Sequence, residues 1–216
     1  MDRYKETFET WNRIAVLYQD KFMDLDLYNE TYDYICNSIS KDNPKILEIG
    51  CGPGNIAKYL LAKRPDFDIW GIDVAPNMIE LARKNNPNAK FTLMDCRNVS
   101  EINSKFDAII CGFCLPYLSH TDSGNLITDC SNLLRENGLI YISFVQGNPN
   151  NSGFQVGSSS DRSFFYYHEI ESLTLALNES KFEILKIFNL EYKNNLAEFE
   201  VHTIITAKKI SALDDR

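Results

Sequence analysis

Ile46-Leu47-Glu48-Ile49-Gly50-Cys51-Gly52-Pro53-Gly54-Asn55 is an apolar run that breaks into three glycines within five residues. A short apolar run bounded by such a turn predicts a buried strand, and the amphipathic stretch 55–63 behind it predicts a helix. Glycine lets the main chain approach a ligand closely, and the unpaired N–H groups at a helix start favour a polar or anionic group. The turn therefore marks a nucleotide-type site at the carboxyl end of a strand. Dinucleotide-binding turns follow Gly-x-Gly-x-x-Gly, whereas here the spacing is Gly50-x-Gly52-x-Gly54 and Asn55 stands at the third glycine position. That spacing argues against an NAD-dependent dehydrogenase.

Outward from this turn, short apolar runs alternate with helix-period segments. Strands are predicted at 45–49, 68–73, 90–94, 106–113, 138–145, 182–192 and 198–208, and helices at 55–63, 76–85, 125–134 (stopped by Asn137-Gly138) and 168–180. This is the pattern of an α/β fold with a doubly wound, seven-stranded, mainly parallel sheet. Only residues 193–197 separate the last two strands, too few for a crossover helix, so they should pair as an antiparallel hairpin at the sheet's end. Residues 1–40 place Phe8, Trp11, Tyr18, Phe22, Tyr28 and Tyr32 at helical spacings and read as an N-terminal helical cap on a core of residues 41–216, all in one domain. The Gly-, Asn- and Ser-rich stretch 146–163 is expected to be a mobile lid or disordered.

With 216 residues, 44% hydrophobic and 24% charged, the chain has the composition of one globular domain. Its 22 Lys and Arg against 30 Asp and Glu leave a net charge of -8, which offers no general attraction to nucleic acid. The first residues lack the apolar core of a signal peptide, and no apolar run is long enough for a bilayer; the expectation is a cytoplasmic protein with no membrane partner. Six irregularly spaced cysteines read as reduced thiols. On a strand, the offset in Cys111-x-x-Cys114 would turn the two side chains to opposite faces, which favours packing over a metal site.

Three acids fall at successive strand ends. Glu48 precedes the glycines, where it would repel a pyrophosphate and welcome positive charge. Asp73 ends the second strand, where a carboxylate can accept both ribose hydroxyls. Asp95 follows the third. An adenosine-like ligand with a cationic group and no phosphate fits this set, and S-adenosylmethionine matches it.

The sequence resembles the class I S-adenosylmethionine-dependent methyltransferases of small-molecule type. The likeness is carried by the glycine motif, by Gly71-Ile72-Asp73-Val74-Ala75-Pro76-Asn77-Met78, by Met94-Asp95-Cys96, by Phe106-Asp107-Ala108-Ile109-Ile110-Cys111 and by Leu133-Leu134-Arg135-Glu136-Asn137-Gly138-Leu139. It implies strand order 3-2-1-4-5-7-6 with strand 7 antiparallel, and S-adenosyl-L-methionine as cofactor. It further implies Gly50, Cys51 and Gly52 along the methionine moiety, Asp73 on the ribose, Asp95 and the Cys96 backbone on the adenine, and Val74 and Met78 flanking that ring. Cys111, Gly112 and Phe113 would lie by the methionine amino group, with Tyr18 closing over the cofactor. Two departures bear on local helix geometry: Ala75 stands where many relatives have a capping Ser, and Lys181 replaces a frequent Gly.

The implied reaction is in-line methyl transfer to a small molecule, driven mostly by positioning and the exclusion of water. A base is needed only when the nucleophile arrives protonated; Tyr117, His120 and His168 are the candidates. Tyr117, Tyr166 and Tyr167 are candidates for the acceptor site, whereas His202, alternating with its neighbours in the last strand, reads as structural. A regulatory protein that binds the cofactor without turnover is the alternative from another class.

Overall fold

A computed structural model describes residues 2–157, 161–193 and 199–210. Three helices, α1 (Arg3–Arg13), α2 (Ala15–Phe22) and α3 (Asn29–Ser38), precede the sheet. The alternation then runs β1 (Lys45–Ile49), α4 (Asn55–Lys63), β2 (Asp68–Asp73), α5 (Pro76–Asn85), β3 (Lys90–Leu93), β4 (Phe106–Cys111), α6 (His120–Leu133) and β5 (Leu134–Val145). After a short ribbon of β6 (Gly153–Val156) and β7 (Arg162–Phe165) come α7 (Ile170–Glu179), β8 (Phe182–Lys193) and β9 (Phe199–Lys209).

The main sheet has the order β3-β2-β1-β4-β5-β9-β8. Without the ribbon this is 3-2-1-4-5-7-6, as the resemblance implied. β1 to β5 pair in parallel, and β9 runs antiparallel to both β5 and β8. The hairpin joining β8 to β9 forms as predicted; residues 194–198 of its connection, including the expected strand start at 198, lie outside the described residues.

β1 is buried on both faces, which explains why apolar residues occupy consecutive positions in it, with Glu48 as the one acid among them. Leu47 and Ile49 face a core with Ile109, Ile140 and Ile142, closed by Leu126 and Ile127 of α6 and Leu177 of α7. Ile46 faces the opposite core with Ile110 and Tyr141, closed by Ile35 of α3, Leu60 of α4 and Ile79 of α5. The segment before β1 thus divides in two. α3 belongs to a covering layer of the sheet, where buried Thr31 meets the Tyr141 hydroxyl at 2.9 Å. α1 and α2 instead contact α5 at the carboxyl edge.

Two boundaries differ from expectation. α6 begins at His120 rather than 125, because the Ser119 side chain accepts from the Asp122 N–H and caps the helix there. Asn137-Gly138 does not stop that helix; it lies inside β5, where Phe106 pairs with Leu134 and Ala108 with Leu139, so the residues between bulge out with Asn137 at φ 62°.

Of the polar stretch 146–163, expected to be a mobile lid or disordered, the described part forms an ordered ribbon packed into the fold. β7 is docked on α1: the Thr7 hydroxyl accepts from the Phe164 N–H at 2.9 Å, Thr10 donates to the Arg162 carbonyl at 2.8 Å, and Arg162 pairs with Glu6. Thr7 and Thr10 are buried by this contact. A polar helix face and a polar ribbon satisfy each other's backbone groups, a pairing that composition alone does not reveal.

Candidate functional site

The glycine turn sets the floor of a crevice at the carboxyl edge of β1, β2 and β4. Gly50 has φ 67°, and a Cβ there would sit 3.0 Å from Cys114 Cβ, so a side chain would be both strained and crowded. Beside Gly52 the Tyr18 ring passes at 3.7 Å from where a Cβ would be. Asp73 is fixed at the end of β2 by two main-chain donors, the Gly52 and Ala75 N–H groups, each at 2.9 Å. Burial raises its pKa against the pull of these donors. Asp95, at the start of the next turn, is clamped by the Arg97 guanidinium at 2.5–3.1 Å, which itself stacks on Tyr4 at 4.2 Å.

Ten of the residues proposed for the cofactor line this crevice: Tyr18 above, Gly50 and Gly52 below, Asp73, Val74 and Met78 on one side, Asp95 and Cys96 at one end, and Gly112 and Phe113 at the other. Glu48, Cys51 and Cys111 do not. Glu48 is 1% exposed and shares its strand face with Ile46, so its carboxyl lies behind the turn rather than in it. Burial pushes its pKa up to about 8, with Asp73 adding to the rise and the Ala57 N–H pulling against it. Cys51 packs in one core and Cys111 in the other.

The sequence reading missed Phe8, Trp11, Met94, Cys114 and Leu118 on the crevice wall. Phe8 and Trp11 carry no motif, although their aromatic helical spacing placed them in the cap. The Cys114 thiol lies 3.6 Å from that of Cys96, because β4 ends at Cys111 and the chain turns before Cys114. Among the described residues no group of three His, Cys, Asp or Glu side chains is arranged to hold a metal ion.

A second, aromatic cavity adjoins the crevice across Trp11, Tyr18, Phe113 and Tyr117. Phe113 lines both. It holds φ 52°, an unusual conformation for a bulky residue, with its N–H donating to the buried Ser143 hydroxyl at 2.7 Å. Trp11 lines both spaces, and its indole N–H is buried without a partner among the described residues.

Of the base and acceptor-site candidates only Tyr117 lines these cavities. Burial pushes its phenol above the ordinary range, so it is a wall rather than a base. His120 and His168 are corrected to structural roles. His168 is 1% exposed, burial lowers its pKa to about 4, and its Nε2 donates to the Leu115 carbonyl at 2.9 Å. His120 Nε2 meets the Tyr167 carbonyl at 3.0 Å, so the two rings staple the start of α6 to the segment after β7. Tyr166 packs on Phe164 and Arg3, and the Tyr167 hydroxyl accepts from Gln155. The ribbon residues that do line the second cavity are Gln155 and Phe165. Strand alternation turns Phe165 inward and its neighbour Tyr166 away. His202, read from sequence as structural, is also on the wall of this cavity.

Comparison with known proteins agrees with this geometry. Residues 46–138 match a family model described as a methyltransferase domain. The putative methyltransferase 235L of Invertebrate iridescent virus 6 is 27% identical over 136 residues, covering 63% of this chain and 49% of the relative. A malonyl-[acyl-carrier protein] O-methyltransferase of Acetivibrio thermocellus is 35% identical over 106 residues, covering 48% of this chain and 36% of the relative. The chain thus spans half or less of the length of these curated relatives. Among solved structures, a SAM-dependent methyltransferase from Methanosarcina mazei superposes with a TM-score of 0.69 at 20% identity, covering 82% of this chain and 97% of that one. That likeness shows the shared fold.

Proposed function

We propose that this chain, whose residues 46–138 form a methyltransferase domain on the class I fold, binds S-adenosylmethionine in the crevice and passes its methyl group to a small-molecule acceptor in the aromatic cavity. The observation that carries the reading is Asp73, a carboxylate held by two backbone donors at a glycine floor, in a crevice whose charged lining among the described residues is Asp73 and Asp95. A phosphate would meet the Asp73 and Asp95 carboxylates, the latter already paired with Arg97, whereas a ribose bearing a sulfonium finds acceptors and an acidic surround.

Asp73 accepts from the ribose hydroxyls with the lone pairs left by Gly52 and Ala75. Asp95, oriented by Arg97, and the Cys96 backbone take the adenine edge, while Val74 and Met78 hold its faces. Gly50 and Gly52 leave room along the methionine moiety. The bound cofactor supplies an electrophilic methyl on a good leaving group. The protein's part is alignment and dryness: Trp11, Tyr18 and Tyr117 close the space above the turn, and Phe113 lines the donor and acceptor spaces alike. No helix among the described residues is long and apolar enough to cross a membrane.

Calorimetric titration with S-adenosylhomocysteine tests this. Asp73→Ala should weaken binding by about 2 kcal/mol, roughly 30-fold, since hydrogen bonds to a charged acceptor are removed. Unchanged affinity would remove the ribose contact, and a wild-type protein that binds NADH instead would overturn the reading.

A further inference from the structure

We propose that His202, acting through Tyr28 and held by Glu200, receives the acceptor's proton, and that the acceptor is a phenol-like compound whose ring hydroxyl is methylated. The inference rests on the methyl-transfer reading above and names the acceptor chemistry of that site.

His202 lies opposite Val145 and Leu190 at the carboxyl edge of the sheet and lines the aromatic cavity, the one histidine that does so among the described residues. Its ring stacks on Tyr192 at 4.7 Å and 18°, while Tyr28 lies nearly coplanar with it, ring centroids 6.0 Å apart, its hydroxyl toward Nδ1. Nδ1 is 2.6 Å from the Tyr28 hydroxyl and Nε2 is 3.7 Å from a Glu200 carboxylate oxygen. Tyr28 and Glu200 line the same cavity. A hydroxyl, an imidazole and a carboxylate in line form the constellation that accepts a proton on one nitrogen and stabilises the resulting cation at the other.

With neutral His202 bearing its proton on Nε2, toward Glu200, the Tyr28 hydroxyl donates to Nδ1. The acceptor hydroxyl gives its proton to the Tyr28 oxygen as the Tyr28 proton passes to Nδ1. In the same step the acceptor oxygen bonds to the methyl carbon, and the carbon–sulfur bond breaks with its electron pair left on sulfur. The products are a methyl ether, a neutral thioether and an imidazolium beside Glu200, so charge and protons balance. Tyr28 is never required as a free phenolate, in keeping with a phenol that burial pushes well up.

An acceptor without a proton to lose would need no such relay. The cavity walls, among them Phe22, Tyr32 and Phe165, present aromatic faces suited to a flat ring. A phenol, with an ordinary pKa of about 10, is acidic enough for its proton to leave as the oxygen–carbon bond forms. The groups facing His202 are Glu200 on its own strand, Tyr28 from the turn before α3 and Tyr192 from β8, with the Lys21 ammonium of α2 over the Tyr192 ring at 5.9 Å.

4-Nitrophenol, whose phenolate is coloured, reports the relay directly when titrated with pH in the S-adenosylhomocysteine complex. The bound probe should ionise at a pH at least one unit lower than in solution. In His202→Asn that shift should disappear while the protonated probe, titrated well below its solution pKa, still binds within about threefold; in Glu200→Gln, which keeps the imidazole, it should shrink at least threefold in equilibrium terms. A bound probe that ionises identically in wild type and both variants overturns the relay. A probe that does not bind to a complex that has formed overturns the acceptor class and leaves methyl transfer standing. Failure of S-adenosylhomocysteine itself to bind overturns the function on which both rest.

Discussion

Lys181 occupies a conformation meant for glycine. Its φ is 63°, just past the end of α7, where its N–H closes on the Asn178 carbonyl and the Ser180 N–H on that of Ala176. The departure noticed in the sequence is therefore a local strain at a helix terminus, remote from the crevice. Lys181→Gly should raise stability by about 0.5–1 kcal/mol, relief of the left-handed strain being partly offset by the entropy of an added glycine. Denaturant unfolding measures it, and a loss of stability would show that the lysine side chain holds this turn. Cys114 teaches the complementary lesson. Its fate depended on where β4 ended, two residues earlier than the apolar run suggested, and that brought its thiol to the crevice beside Cys96.

At the scale of elements, the missing cap of α5 is supplied from elsewhere. Ala75 has no side chain to offer, but Asn12 of α1 accepts from the Asn77 N–H at 2.8 Å, and the Asn77 side chain donates back to the Asn12 carbonyl at 2.8 Å. The cap that holds α5 therefore also seats α1 over the crevice. Asn12→Ala should cost about 1 kcal/mol, the usual worth of an N-cap, and should also speed hydrogen exchange in α1 and in β7, which is docked on it. Destabilisation without faster exchange in α1 would show that the helix is held by its other contacts alone. The same coupling explains why α1 and the ribbon act as one roof: Thr7, Thr10 and Glu6 reach β7 from one helix face.

For the whole molecule, Glu48 is the charged group most at odds with its surroundings. Its folded pKa of about 8 lies above its unfolded value, so the native state binds more protons between those limits. Stability from this group is therefore full at acidic pH and declines as pH rises through about 8. The loss is on the order of a few kcal/mol for a shift of this size. Glu48→Gln should leave a flatter profile of melting temperature between pH 5 and 9 than wild type; superimposable profiles would show that Glu48 is charged and accommodated in the native state.

How much was legible follows from range. β1, β2, α4 and α5 were bounded to the residue because period, glycine and proline are local signals; the final hairpin was legible in its short connection, while the strand order came from the family resemblance. Asp73, Asp95 and the glycines were legible for the same reason: a strand end in this topology is a place in space. Glu48 was misplaced because being near the turn in sequence did not settle which strand face it occupies. His120 and His168 looked reactive as types, yet their partners, the Tyr167 and Leu115 carbonyls, are backbone groups that no pattern marks. The sequence by itself determined the strands, the helices between them and the acidic, glycine-floored turn, since these rest on periodicity and on short-range conformational preference, and its resemblance to a family supplied the strand order. Only the tertiary structure decided the second cavity, because Tyr28, Glu200 and His202 meet across some 170 residues, and contacts at that range are set by how the layers pack.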